Sequence, residues 1–235
     1  MFEHVEKIMQ SCSCGRRHSL MTEECVVSRD AIPLMKEYIA RKGYRRPAVV
    51  ADGNTRIFAD AILREIPAGL TVVAGDAHAT EVWTARVGAF VDAEKPDALI
   101  ACGSGSVHDI TRYVACEKKI PFISYPTAAS VDGFVSGVAA MTWYGQKLTF
   151  PSVSPVAAFA DPEVFSSAPA RLTASGVGDV LANMSPSSTG AWDRSSRGNI
   201  SARSCALWRR KPSGNCWRPF GAAGKSGRPP TARRS

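Results

Sequence analysis

Histidine is scarce in this chain and stops early. The four in 235 residues are His4, His18, His78 and His108. No site built from later residues can therefore draw on an imidazole. Long apolar runs are also missing. None approaches the ~20 residues that cross a bilayer, which excludes a membrane-spanning helix. The opening MFEHVEKIMQ is charged and lacks the apolar core of a secretory signal. These absences predict a soluble, cytoplasmic protein with no membrane partner. The seven cysteines are odd in number and scattered, which argues against a disulfide framework and for reduced thiols. One local group, Cys12-Ser13-Cys14-Gly15-Arg16-Arg17-His18, lacks the spacing of a standard zinc knuckle and reads as a turn with free thiols.

Acidic residues nearly vanish after Ala182. From Asn183 onward there are eleven Lys/Arg and one acid, against eighteen and twenty in the first 182 residues. The formal net charge of +8 is thus a property of the tail. Such a tail can meet phosphates, but it has no regularly spaced aromatics on which bases would stack. Nucleic acid is accordingly not expected as a partner. The tail is rich in Ser, Arg, Gly and Pro and shows no helical or strand period, so it reads as a segment of low order.

With 45% hydrophobic residues, the chain can bury one large domain or two modest ones. Short apolar runs alternate with helical patterns. PAVVAD (47–52), Leu70–Ala74, Asp97–Cys102 and Pro121–Tyr125 read as strands. Arg56–Ile66, Glu81–Ala93 and Val107–Cys116 read as helices, the second with Val82, Trp83, Val87 and Phe90 on one stripe. The alternation predicts an α/β fold, a Rossmann-like parallel sheet with crossover helices. Such sheets bind ligands beyond the carboxyl ends of their strands. Phe159-Ala160-Asp161-Pro162 reads as a strand end and turn, and Ser175–Ala182 as a turn into a new helix.

The stretch ALIACGSGSVHD (98–109) carries the most chemistry. An apolar run gives way to glycines and serines and then opens a helix, so backbone N–H groups are presented to an anion. It is not the G-x-G-x-x-G fingerprint, because His108 stands at the third glycine and no acid follows about 20 residues on. Asp52 ends an earlier strand instead. Ser104 or Ser106 could equally serve as an ordinary helix cap. Thr127-Ala128-Ala129-Ser130, Asp132 and Ser136 follow the next strand and supply small hydroxyls and a carboxylate, as ordinary turns also do. Asp179, after Gly178, could cap a helix or ligate a metal.

Three segments, GSGSVHDITR, ISYPTAASVDGFVSGVAAM and FADPEVFSSAPARLTASGVGDVLA, together resemble the sn-glycerol-1-phosphate dehydrogenase family. That family sits in the wider group of metal-dependent alcohol dehydrogenases and dehydroquinate synthase. The resemblance runs from Cys12 to Ala182. It implies a nucleotide-binding α/β domain over residues 1–160, the start of a helical metal-binding domain over 161–182, and a basic tail over 183–235. It implies NAD(P), a divalent metal (zinc, or nickel) and reduction of dihydroxyacetone phosphate to sn-glycerol 1-phosphate. By position, Gly105, Ser106, Val107, His108 and Asp109 match the pyrophosphate loop. Thr127, Ala128, Ala129, Ser130 and Ser136 match further cofactor contacts, and Asp52 another. Asp132 matches a substrate contact. Asp179 matches the catalytic metal ligand, which also touches substrate. Homo-oligomers occur in that family.

The resemblance ends at Ala182. The family's two metal-ligating histidines lie beyond it and have no counterpart here, so the ion is not expected to be retained and turnover is expected to suffer. One base lost from a lysine codon after Ala182 accounts for the break. A reverse translation of NMSPSSTG, read from its third base, spells YVALVDW, and GNISA allows GEYFCP. Both are motifs the resemblance requires. Other readings are a polyol or alcohol dehydrogenase of the same superfamily, and a non-catalytic or nucleic-acid-binding protein acting through its tail.

Overall fold

A computed structural model describes residues 21–184, Ala77 apart. The Cys12–His18 group and nearly all of the basic tail lie outside them. Six parallel strands form one sheet: β1 (Glu24–Val27), β2 (Pro47–Asp52), β3 (Gly69–Val73), β4 (Ala98–Gly103), β5 (Phe122–Pro126) and β8 (Ala157–Ala160), in the order β1-β8-β5-β4-β2-β3. A two-stranded antiparallel hairpin, β6 (Val138–Trp143) and β7 (Gln146–Pro151), stands apart from the sheet. The helices are α1 (Ala31–Lys42), α2 (Arg56–Glu65), α3 (Glu81–Glu94), α4 (Gly105–Lys118), α5 (Pro162–Ser167) and α6 (Ala170–Met184).

Strands β2, β4, β5 and β8 are buried along their whole length. They are apolar throughout because both of their faces are covered. Val50, Leu99, Ala101 and Phe122 face α3, α4 and the hairpin, through Val87, Val91, Ile110, Val114 and Met141. Val49, Ile100, Ile123 and Phe159 face α1 and α2, through Met35, Tyr38, Ala59 and Ile62. The predicted α/β fold class is therefore what the chain adopts. Among the described residues no helix is long and apolar enough to cross a membrane.

Several local expectations need correction. Val82 is 65% exposed and does not share a stripe with Val87. The buried face of α3 is Thr84, Val87, Gly88 and Val91, because the sheet selects the i, i+3, i+4, i+7 row and leaves the adjacent apolar residues outside. No turn interrupts 175–178, and α6 runs through Gly176 and Gly178 as one helix. Asp179 therefore lies well inside a helix and caps nothing. Cys25 and Cys102 are free thiols. Phe159–Pro162 behaves as read: β8 stops at Ala160, and Asp161 caps α5 by accepting from the Glu163 N–H at 2.8 Å.

Candidate functional site

The strand order reverses between β2 and β4. From β2 the chain steps outward to β3, then returns to lay β4 on the other side of β2. A crevice opens at the carboxyl ends of such a pair. Two of the sequence-singled segments meet there. After β2, Asp52 folds its carboxylate back on its own turn. Oδ1 accepts from the N–H groups of Asn54 (2.9 Å) and Thr55 (2.8 Å). The Thr55 hydroxyl lies 3.0 Å from that oxygen and 3.0 Å from the Cys102 carbonyl, so it ties the β2 turn to β4.

After β4 the chain enters α4 without a side-chain cap. Ser104 takes the N-cap position in extended conformation, but its hydroxyl bonds no N–H of the first turn. The capping alternative for Ser104 is thus not realised. Ser104, Gly105 and Ser106 are half-buried, and the helix then turns inward at Val107 and His108. Gly103 makes this tight entry feasible, since a Cβ there would lie 2.6 Å from Val107 Cγ2. The uncapped first turn carries a partial positive charge toward the crevice.

His108 is placed otherwise than a ligand contact would require. It is 1% exposed. Nδ1 is 3.0 Å from the Ser104 carbonyl and Nε2 is 2.8 Å from the Ser124 hydroxyl. A carbonyl only accepts, so Nδ1 carries the proton and Ser124 donates to Nε2. Both ring nitrogens are thereby committed to protein partners. Val107 is 1% exposed and also lies inside. Asp109 is half-buried and bonds Arg112 at 3.1 Å.

Burial works in opposite senses on these neighbours. It pushes His108 from 6.5 down to about 3, outweighing the Ser104 carbonyl, and the Arg112 charge adds to the effect. It raises Asp109 from 3.8 to about 6, against the lowering by Arg112 and by the Ala140 N–H. For His108 the unfolded chain binds a proton that the fold refuses between 6.5 and about 3, so stability falls as pH falls through that window. For Asp109 the fold keeps a proton that the unfolded chain releases between 3.8 and about 6, so stability falls as pH rises through that window. Urea midpoints measured from about pH 7 to about pH 4 should therefore fall less steeply for His108→Gln than for the wild type, and more steeply for Asp109→Asn. Equal slopes in all three would contradict this placement.

Beside β4, strand β5 leads into Thr127–Ser130, and the Thr127 N–H donates to the Gly103 carbonyl at 3.1 Å. Thr127, Ala128 and Ser130 are buried and Ala129 is half-buried. Helix α6 crosses this segment. Gly176 sits against the Ala129 carbonyl so closely that a Cβ would collide with it. One turn on, Asp179 Oδ2 accepts the Asp132 N–H at 3.0 Å. Ser136 follows a short 3-10 turn (Gly133–Val135), and its hydroxyl accepts the Val138 N–H at 3.1 Å. The fold thus gathers Asp52, Gly105–Ser106, Thr127–Ser130, Asp132 and Asp179 on one edge of the sheet, and turns Val107 and His108 away from it.

The fit to the two implied groups differs. An uncapped helix start after a glycine-serine turn, at the switch point and flanked by small residues, suits a dinucleotide phosphate. A catalytic divalent ion needs three protein ligands or more. Among the described residues no three His, Cys, Asp or Glu side chains cluster, and Asp179 meets only a backbone amide of Asp132. The donor set described here does not fit the ion.

Sequence reading missed Arg112, Ser124, Phe134 and Gly176. The one available signal was the i, i+3 spacing of Asp109 and Arg112 in a helical run. Nothing local marks Ser124 as the partner of His108.

Residues 26–169 match the sequence model of the iron-containing alcohol dehydrogenases. A glycerol-1-phosphate dehydrogenase of Bacillus licheniformis, named for NAD(P)+, is 36% identical over 194 residues, which cover 77% of this chain and 48% of that protein. An iron-containing alcohol dehydrogenase from Corynebacterium glutamicum shares the fold with a TM-score of 0.64 at 19% identity, covering 73% of this chain and 49% of that one. A sulfoacetaldehyde reductase from Bifidobacterium kashiwanohense, solved in complex with NAD+, superposes with a TM-score of 0.63 at 19% identity, covering 70% and 50%. The chain spans about half the length of the relatives it matches.

Proposed function

This chain belongs to the iron-containing alcohol dehydrogenase family, and from that premise we propose that it carries the nucleotide-binding half of an NAD(P)-dependent glycerol-1-phosphate dehydrogenase. Residues 1–160 form the nucleotide-binding domain, 161–182 begin the helical domain, and 183–235 are translated out of frame. The observation that carries the reading is the uncapped first turn of α4 at the β2/β4 switch point, taken with the 36% identical relative. Gly105 and Ser106 receive the pyrophosphate on backbone N–H groups. Asp52, at the end of β2, is the residue for the ribose. Thr127, Ser130 and Ser136 line the path toward the nicotinamide, and Asp132 accepts from a substrate hydroxyl. When bound, the nicotinamide supplies hydride to the carbonyl carbon of dihydroxyacetone phosphate. Asp179 is the remaining ligand of the family's metal, and in this chain it holds the Asp132 amide instead. Val107 and His108 act from within, by fixing the start of α4.

NADH titration of the full chain, followed by energy transfer from its tryptophans, tests this. Saturable binding is expected. Gly105→Asp should weaken it about tenfold or more, because a carboxylate at the helix start competes with the phosphate. The same carboxylate favours the helix itself, and a Cβ at Gly105 meets Val131 at an ordinary 3.5 Å, so the variant should fold. Wild-type protein with no saturable NADH binding overturns the reading.

A further inference from the structure

We propose that Arg112 is a positioning residue, whose guanidinium clamps the Gly133–Val138 loop onto the same helix that presents the phosphate-facing turn. Its Nη1 donates to the Val138 carbonyl at 2.5 Å and lies 3.1 Å from Asp109 Oδ1. Its Nη2 donates to the carbonyls of Gly133 (2.8 Å) and Phe134 (3.0 Å). The side chain is 3% exposed, so it works from inside the fold, bridging Asp109 on its own helix to the loop carbonyls. Nε is buried and has no hydrogen-bond partner among the described residues, so the side chain holds the loop through its two terminal nitrogens.

Outside Arg112, the loop is tied to the rest of the fold at its ends, by the Ser152 N–H donating to the Gly137 carbonyl at 2.8 Å and by the Asp132 N–H donating to Asp179. Its 3-10 turn contains no buried residue. Phe134 packs edge-on against the His108 ring, with centroids 4.8 Å apart. The Ser152 hydroxyl donates to the Arg112 carbonyl at 2.8 Å and ties the far end of the hairpin to the same helical turn. One cation thus gathers three carbonyls from six consecutive residues, a task for which a planar fork of donors is suited and a lysine is not. His108, Asp109 and Arg112 all lie on α4, whose first turn is the proposed phosphate site. The helix therefore holds the cofactor-facing turn and the Asp132–Ser136 segment in one fixed relation.

The functional meaning rests on the proposed dinucleotide and substrate reading, but the clamp can be tested without it. Amide exchange would be followed in ligand-free wild type, Arg112→Lys and Arg112→Met. The Ser136 N–H, bonded to Gly133 O at 3.0 Å, and the Val138 N–H, bonded to Ser136 Oγ, report on the loop. The Leu99–Cys102 amides in β4 report on the core. Loop exchange should rise about tenfold or more in Arg112→Lys and further in Arg112→Met, with β4 exchange within about twofold of wild type. NADH affinity should change less than about threefold in Arg112→Lys, because the first turn of the helix is left in place. Loop and core amides accelerating together would make Arg112 a residue of the fold alone and overturn the proposal. So would unchanged loop exchange, or failure of both variants to fold. If wild type binds no NADH, the dinucleotide reading fails while the exchange result still decides the clamp.

Discussion

Restoring one base after the Ala182 codon is expected to turn a protein with no measurable dihydroxyacetone phosphate reduction into an active dehydrogenase. The proposed reading gives the sign and the scale. In the family the carbonyl is polarised by a divalent ion, and a Lewis acid of that kind contributes several kcal/mol, about a thousandfold in rate or more. Among the described residues no group of three or more His, Cys, Asp or Glu side chains that could hold an ion forms around Asp179, and its Oδ2 accepts the Asp132 N–H. A single carboxylate holds such an ion weakly. The present chain should accordingly purify with far less than one equivalent of zinc, and the restored chain with close to one. Initial rates with NADH and dihydroxyacetone phosphate, run beside metal analysis of both proteins, decide it. Comparable rates, or stoichiometric tightly bound zinc in the present chain, would sink the frameshift account. A restored chain that prefers glycerol to the phosphate ester would move the assignment to a polyol dehydrogenase.

Gly176→Ala should have the next largest effect, and opposite in sign to ordinary helix propensity. Within a helix, glycine to alanine usually gains up to about 1 kcal/mol. Here the new methyl would fall on the Ala129 carbonyl, a backbone atom that cannot rotate aside. Overpacking of this kind costs about 1–3 kcal/mol. Helix α6 has little to set against that cost, since Val177 and Val180 are 55% and 52% exposed and its other described hold on the sheet edge is the Asp179 carboxylate. The helix should lift off Ala129–Asp132. The Asp132 amide should lose its protection, and trypsin should cut faster after Arg171. The six-stranded sheet should melt within a few degrees of wild type, because α6 contributes so little to either core cluster. Unchanged or slower cleavage at Arg171 would show that the contact with Ala129 does not limit the helix.

The strands PAVVAD, ALIACG and PFISY were legible because they are covered on both faces, and a continuous apolar run needs no partner to be recognised. The glycine-serine turn after β4 was legible for a similar reason: backbone geometry dictates those residue types locally. The hairpin leaves little trace in the sequence. Its turn places Tyr144 and Gly145 at φ 48° and 78°, as a two-residue hairpin turn requires, but the flanking strands bury only alternate residues incompletely and so show a weak period. Helix α1 is equally hard to read, with a proline in its first turn and no side-chain cap.

By itself the sequence determined the fold class, the order of the central elements, the place where the glycine-serine turn into α4 begins, and the residue at which the charge balance breaks. Each of these is written in neighbouring residues. Only the tertiary structure decided that His108 looks into the core toward Ser124, that Arg112 grips three carbonyls more than twenty residues away, and that α6 passes unbroken over Ala129 with Asp179 inside it. The reason is rotational. A helical pattern shows which residues share a face, but the rotation of that face is fixed by the sheet it packs on, and the sheet is assembled from strands distant in sequence.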